Sequence, residues 1–346
     1  YRDCAILALM ALIETYPTPA SLAAALIDLP SVTGSEKRVL AFLEERLVEI
    51  GCVTDREYIG ADRWNLYGNW SDKTHTVFCT HVDTVPPHVP ARMHDGVLYG
   101  RGACDTKGII AAMLFAAERL IAAGASPSFL FVVGEETDSI GAKTAAQSPR
   151  TADFIIVGEP TDNLLASGHK GALSYTLDVH GHAAHSAYPE RGSSAIHLLL
   201  DILQTIRGAA WGTHEILGPA TINVGRIEGG TAMNTLASHA TAQVMHRIVD
   251  DTEVRRSQVL DLIGDRATVR FHSDSQPQIL YVPEGFEAKP VAFGSDIPYL
   301  RAIARCLLCG PGSVHDAHTM DECISVAALD EAVELYVRLF QALRTE

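Results

Sequence analysis

Apolar and polar positions follow two different periods along the chain. From residue 33 to 51, TGSEKRVLAFLEERLVEIG sets Val39, Phe42, Leu43, Leu47 and Ile50 on one face at helical spacing. Thr33 and Glu36 look like a capping-box pair and Gly51 like the stop. Short apolar runs follow, each ending at a polar residue: TVFCT leads into His81, FLFVV into Glu135 and DFIIV into Glu159, and KGIIAAMLFAAERLIAAG predicts a helix between the first two. Short buried strands alternating with helices predict an α/β fold with a mostly parallel sheet and flanking helices, whose ligands bind beyond the carboxyl ends of the strands. Three histidine or acidic motifs stand at three such ends.

From about residue 172 the pattern changes. LSYTLDVHG is strand-like, SAIHLLLDILQTI helical, ATINVGRIEGG and ATAQVMHRIV strand-like, VRRSQVLDLIG helical and ATVRFH strand-like. Strand, helix, two strands, helix, strand is the order of a small split βαβ, ferredoxin-like sandwich, which predicts an inserted α+β domain over 172–281. DIPYLRAIARC and SVAALDEAVELYVRLFQALRT predict helices that return to the first sheet. The first domain is then discontinuous, 1–171 and 282–346. The apolar segment at residues 4–13 is as long as a signal-peptide core, but Asp3 interrupts its approach and no small-residue cleavage site follows; it reads as a packed amphipathic helix.

Composition narrows the partners. Against 27 Lys+Arg stand 42 Asp+Glu, a formal charge of -15. So acidic a chain does not suit a phosphate backbone or an anionic membrane surface, and no apolar run of 18 residues occurs. Seven cysteines without regular spacing suit a reducing, cytoplasmic setting. Cys306 and Cys309 form a lone CxxC inside an apolar run and read as core thiols, since no second pair completes four zinc ligands.

The chemistry-bearing residues are individually ambiguous. His81 and Asp83, two apart on an extended chain, point the same way, as a metal ligand and its supporting carboxylate would, or as polar residues ending a strand. GRGACDTKG lacks the third glycine of a dinucleotide loop and the frame of a phosphate loop; its glycines suit a tight backbone presenting Asp105. Adjacent Glu135 and Glu136 repel each other unless a proton or cation intervenes. VGEPT adds Glu159, and PGSVHDAHTMDE adds His315 and His318.

In this order the motifs resemble the M20 family of co-catalytic zinc hydrolases, which includes acetylornithine deacetylase, succinyl-diaminopimelate desuccinylase, aminoacylases and carboxypeptidases. The resemblance runs from about residue 20 to the C-terminus. It implies two Zn2+, with Co2+ or Mn2+ able to substitute: His81, Asp105 and Glu159 on one, Glu136, His318 and the shared Asp105 on the other. Asp83 would orient His81, Glu135 would be the general base, and the peptide after Asp105 would be cis. His315 is a surface residue in this reading. HGHAAHSAYPERGSSAI matches the family's lid segment, which assigns oxyanion stabilisation to His185 and leaves His180 and His182 without a role. Asn234 in GGTAMNTLA, Arg247 in VMHRIV, and Gly294 and Ser295 in AFGSDIPYL match substrate-binding positions, with Arg247 facing the α-carboxylate of an N-acyl amino acid. A homodimer through the inserted domain and a place in amino-acid biosynthesis are implied too. The expected activity is removal of an acetyl or succinyl group from an amino acid. A dipeptidase or carboxypeptidase of the same family is the alternative, and a catalytically silent binding protein on the same fold a further one.

Overall fold

In the computed structural model, residues 15–71 and 74–345 are described, so the predicted helix at 4–13 lies outside the described residues. Ten strands build the two main sheets: β1 (Thr54–Gly60), β2 (Arg63–Gly68), β3 (Thr76–His81), β4 (Ser128–Val132), β5 (Phe154–Val157), β6 (Gly171–His180), β7 (Thr221–Gly229), β8 (His239–Ile248), β9 (Thr268–Ser275) and β10 (Arg305–Leu308). The helices used below are α1 (Pro19–Ile27), α2 (Lys37–Glu49), α3 (Lys107–Ala122), α4 (Ile140–Ala145), α5 (Ala195–Gly208), α6 (Thr252–Ile263) and α7 (Val326–Leu343).

The chain forms two units. The first holds the described residues up to Ser167, Leu280–Lys289 and those from Ser295 onward; the second holds Gly168–Ile279 and Pro290–Gly294. In the first unit the sheet order is β1-β2-β4-β3-β5-β10. β3, β4, β5 and β10 run parallel, and β1 and β2 add an antiparallel edge. Every residue of β3, β4 and β5 is buried, as expected of parallel strands covered on both faces. Ile109, Ile110, Met113 and Leu114 of α3 share one core with Leu22 and Leu26 of α1 and Leu329 and Tyr336 of α7. Each such large side chain contributes about 1.5–3 kcal/mol by leaving water.

Three expectations are corrected. Helix α2 begins at Lys37, and Glu36 occupies its N-cap without capping it. The Glu36 carboxylate instead accepts from Gly34 N at 3.0 Å and from Arg63 Nε and Nη2 at 3.0 and 2.7 Å, while Thr33 Oγ1 donates to Asp83 Oδ2 at 2.7 Å. A bidentate guanidinium–carboxylate pair is stronger than a neutral local cap, so the tertiary partner prevails. The helix expected over 296–306 is a single turn, Ile297–Leu300, and Arg305–Leu308 is strand β10 alongside β5. A short buried apolar run suits strand as well as helix. Cys306 and Cys309 are buried free thiols whose pKa burial pushes up to about 12, which opposes the thiolate form that zinc needs. Finally, residues 290–294 go with the second unit, where Lys170 N donates to Val291 O at 3.3 Å.

The second unit runs β6, α5, β7, β8, α6, β9, with sheet order β7-β8-β6-β9, antiparallel throughout. Leu173, Tyr175, Leu177 and Val179 of β6 pack with Leu199, Ile202 and Ile206 of α5 and Val259 and Ile263 of α6. Strand alternation turns Ser174, Asp178 and His180 to the opposite face. No helix among the described residues is long and apolar enough to cross a membrane.

Candidate metal centre

Because β3, β4 and β5 are parallel, their carboxyl ends share one edge of the sheet. His81 closes β3, Glu135 and Glu136 follow β4, and Glu159 follows β5. The turn after β4 needs Gly134: its φ is +80°, and a Cβ there would lie 2.9 Å from Ile140 Cγ2 and 3.1 Å from Arg63 Nη2. Asp83 holds this turn. Its Oδ1 accepts from Gly134 N at 2.9 Å and Glu135 N at 3.2 Å, and its Oδ2 from Glu136 N at 3.3 Å. His81 Nδ1 lies 2.9 Å from Asp83 O and 3.6 Å from Asp83 Oδ1. A carbonyl only accepts, so Nδ1 carries a proton and Nε2 is the nitrogen turned toward the acids.

Asp105 sits between two imidazoles. Its Oδ1 is 3.0 Å from His81 Nε2 and its Oδ2 is 3.3 Å from His318 Nε2. His318 Nε2 is also 3.0 Å from each oxygen of Glu136, and His81 Nε2 is 3.9 Å from Glu159 Oε1. The donors thus fall into two groups, His81 with Glu159 and His318 with Glu136, which share Asp105. The Asp105–Thr106 peptide is cis, and Thr106 Oγ1 donates to His81 O at 2.6 Å. His318 adopts φ 62°, a left-handed conformation that costs a residue with a side chain about 1–2 kcal/mol.

Charge is concentrated here. Burial, then repulsion from Glu135 and Asp105, pushes the Glu159 carboxyl well up. Burial also opposes the charge on Asp105, but hydrogen bonds from His318 and His81 hold its carboxyl well below the usual carboxylate range. Hydrogen bonds to Asp105 and Glu136 push His318 up to about 10; His81 is raised as well, because Asp105 and Asp83 outweigh its burial. Imidazole nitrogens and carboxylate oxygens converging on one another fit zinc, cobalt or manganese, and a dication would relieve the repulsion among the acids. A metal ion bound through His81 and His318 would have to displace protons from them. Below their raised pKa values the imidazoles are charged, so metal affinity should rise with pH. Calorimetry at neutral pH in buffers of different ionisation enthalpy should register at least one proton released per ion; zero release would remove these histidines from the ligand set.

The other expected residues are placed as follows. His185 is exposed on a loop of the second unit, where Ser186 N donates to Asn234 O at 2.9 Å and His185 bridges to Thr235, so the His185 and Asn234 loops lie side by side. Gly294 and Arg247 are also neighbours: a Cβ on Gly294 would stand 3.8 Å from Arg247 Nη1. Ser295 belongs to the first unit and is buried, and His315 is exposed.

Two residues escaped the sequence reading. Glu322 Oε1 accepts from the backbone N of Gly102, Cys104 and Asp105 at 3.0, 3.2 and 3.1 Å, and Oε2 pairs with Arg101 Nη1 at 2.6 Å. It thereby fixes the loop that presents Asp105; its only signal was a second acid four residues after His318. Asp296 is buried with no complete hydrogen bond to either oxygen, and burial pushes its carboxyl up to about 6 against the Ser139 side chain.

Known proteins share the family and the fold of this chain. A sequence profile described as peptidase family M20/M25/M40 matches residues 77–342. A peptidase M20 domain-containing protein of Schizosaccharomyces pombe is 37% identical over 92% of this chain and 83% of its own length. A protein of Aspergillus fumigatus named "Probable carboxypeptidase" is 34% identical over 92% of this chain and 84% of its own. Among solved structures, a tripeptidase from Staphylococcus aureus superposes with a TM-score of 0.81 at 21% identity, covering 96% of this chain and 99% of that one, a likeness of fold. With the profile spanning most of the chain and a relative sharing more than a third of its residues, this chain belongs to peptidase family M20/M25/M40.

Proposed function

We propose that the protein is a dinuclear metal-dependent hydrolase that cleaves the amide bond on the amino side of a residue with a free α-carboxylate. One observation carries this reading: the two oxygens of Asp105 are divided between His81 and His318, each backed by its own glutamate. Two dications held by His81, Asp105, Glu159, Glu136 and His318, zinc in this proposal, would polarise the scissile carbonyl and lower the pKa of water. Glu135 takes a proton from the attacking water and returns it to the leaving amine. Asp83 holds the backbone that carries Glu135 and Glu136. Arg247 pairs with the substrate carboxylate, Asn234, Gly294 and Ser295 contact its backbone, and His185 donates to the oxyanion, across a homodimer formed by the second unit.

An N-acyl amino acid and the last bond of a peptide present the same target, a secondary amide whose nitrogen belongs to a residue with a free carboxylate. Deacetylase, desuccinylase, dipeptidase and carboxypeptidase activities therefore differ only on the acyl side. The relatives named as carboxypeptidases favour a peptide there, and the motif resemblance favours acetyl or succinyl.

The test is amine release by zinc-loaded protein from N-acetyl and N-succinyl amino acids, dipeptides and N-blocked dipeptides, each as free acid and as C-terminal amide. Free acids should be cleaved at least about 10-fold faster than their amides, the worth of a charge-assisted pair. Arg247→Ala should raise KM for the acids and leave the amides unchanged. Equal rates on acids and amides would sink the carboxylate requirement; silence across the panel with metal bound would favour a binding protein. Mixing His185→Ala with Glu135→Gln chains restores activity only if His185 acts across a dimer.

A further inference from the structure

We propose that Asp178, His180 and His239 form a separate metal site, for one zinc-like transition dication, on the open face of the second unit's sheet. None of the three belongs to the centre above, and the inference does not depend on the proposed reaction. β6 and β8 are antiparallel with His180 directly opposite His239. Asp178 precedes His180 by two residues, so strand alternation puts all three side chains on one face. Their ligand atoms lie within 4.8 Å of one another. Asp178 Oδ1 is 3.1 Å from His180 Nε2 and 2.9 Å from His239 Nε2, and the two rings stand 5.1 Å apart.

Two imidazoles and one carboxylate are the donor set of an open zinc site, in which water fills the fourth position. Ligands bonded at about 2.0–2.2 Å around a tetrahedral ion stand roughly 3.4 Å apart. The two separations from Asp178 to the histidines therefore need to open by only a few tenths of an ångström. The histidine side chains are 74% and 52% exposed, so an ion reaches them from solvent and that adjustment meets no packed core. The residues paired with Asp178 on its two neighbouring strands are Thr241 and Thr268, which bring no charge. The competing cation is Arg270, whose Nη2 lies 3.8 Å from Asp178 Oδ2, the oxygen turned away from the histidines. A bound ion would pin the end of β6 to the start of β8.

Equilibrium dialysis of the full-length chain against buffered Zn2+, followed by elemental analysis, reads the metal-to-protein ratio. Wild type should hold one equivalent more than His239→Ala and Asp178→Asn, and both variants should keep wild-type hydrolysis and circular dichroism. Loss of an outer-shell partner alone costs about 10–100-fold in metal affinity, so loss of a ligand should weaken this equivalent by more than about 100-fold. Arg270→Ala should tighten it, since a like charge is removed; this sign differs from general damage to the fold. Because the reading is a difference between chains, it holds whatever number of ions the first centre takes. Equal ratios in wild type and both ligand variants, or weaker binding in Arg270→Ala, would overturn the site.

Discussion

Glu135→Gln should retain the wild-type metal content while turnover falls by about 10²–10⁴, the usual contribution of a positioned acid–base group. Glutamine preserves the size of the side chain but cannot accept the proton. The loop should keep its shape, because Asp83 holds the backbone N of residues 134–136 whatever side chain stands at 135. Burial pushes the Glu135 carboxyl well up, His81 opposing and Asp296, Glu136 and Asp105 adding to it, so this acid is primed to hold a proton. A dication beside it would draw its pKa back toward the working range of a base. Glu136→Gln should behave differently. Its oxygens stand 3.0 Å from His318 Nε2, as a ligand's would, so metal and activity should fall together. Elemental analysis beside kcat at saturating substrate separates the two variants. Turnover within about threefold of wild type in Glu135→Gln would assign the base elsewhere.

Periodicity encodes which face is buried, and for that reason the alternation of strands and helices is legible in the sequence. The polar residues at the ends of β3, β4 and β5 were legible too, as interruptions of apolar runs. What stayed hidden depends on partners distant in the chain. Thr33 and Glu36 form a capping box by spacing alone, yet Asp83 and Arg63 claim their side chains. The run at 306–308 is too short for helical and strand periods to be told apart. His180 and His239 meet only through the register of β6 with β8, which no one-dimensional pattern states. The role of Glu322 needs Arg101, 221 positions away.

That last pair carries the second large expectation. Arg101 and Glu322 are 2% and 1% exposed, so neither charge can fall back on water. Glu322→Ala leaves a buried guanidinium without its partner, which costs about 3–5 kcal/mol. It also removes the acceptor for the backbone N of Gly102, Cys104 and Asp105, and with it the frame that presents Asp105 to His81 and His318. Denaturant unfolding of the metal-free chain and metal content of the loaded chain should therefore both drop. The double variant Arg101→Met/Glu322→Leu separates these two consequences. Removing both charges together should recover much of the lost stability, because no unpaired ion remains. Metal retention should stay low, because three N–H groups of the Asp105 loop still lack their acceptor. If Glu322→Ala unfolded within about 1 kcal/mol of wild type and held full metal, the buried pair would not be what fixes the Asp105 loop; if the double variant recovered stability and metal together, charge alone, and not the carboxylate's grip on the backbone, would be the part that matters.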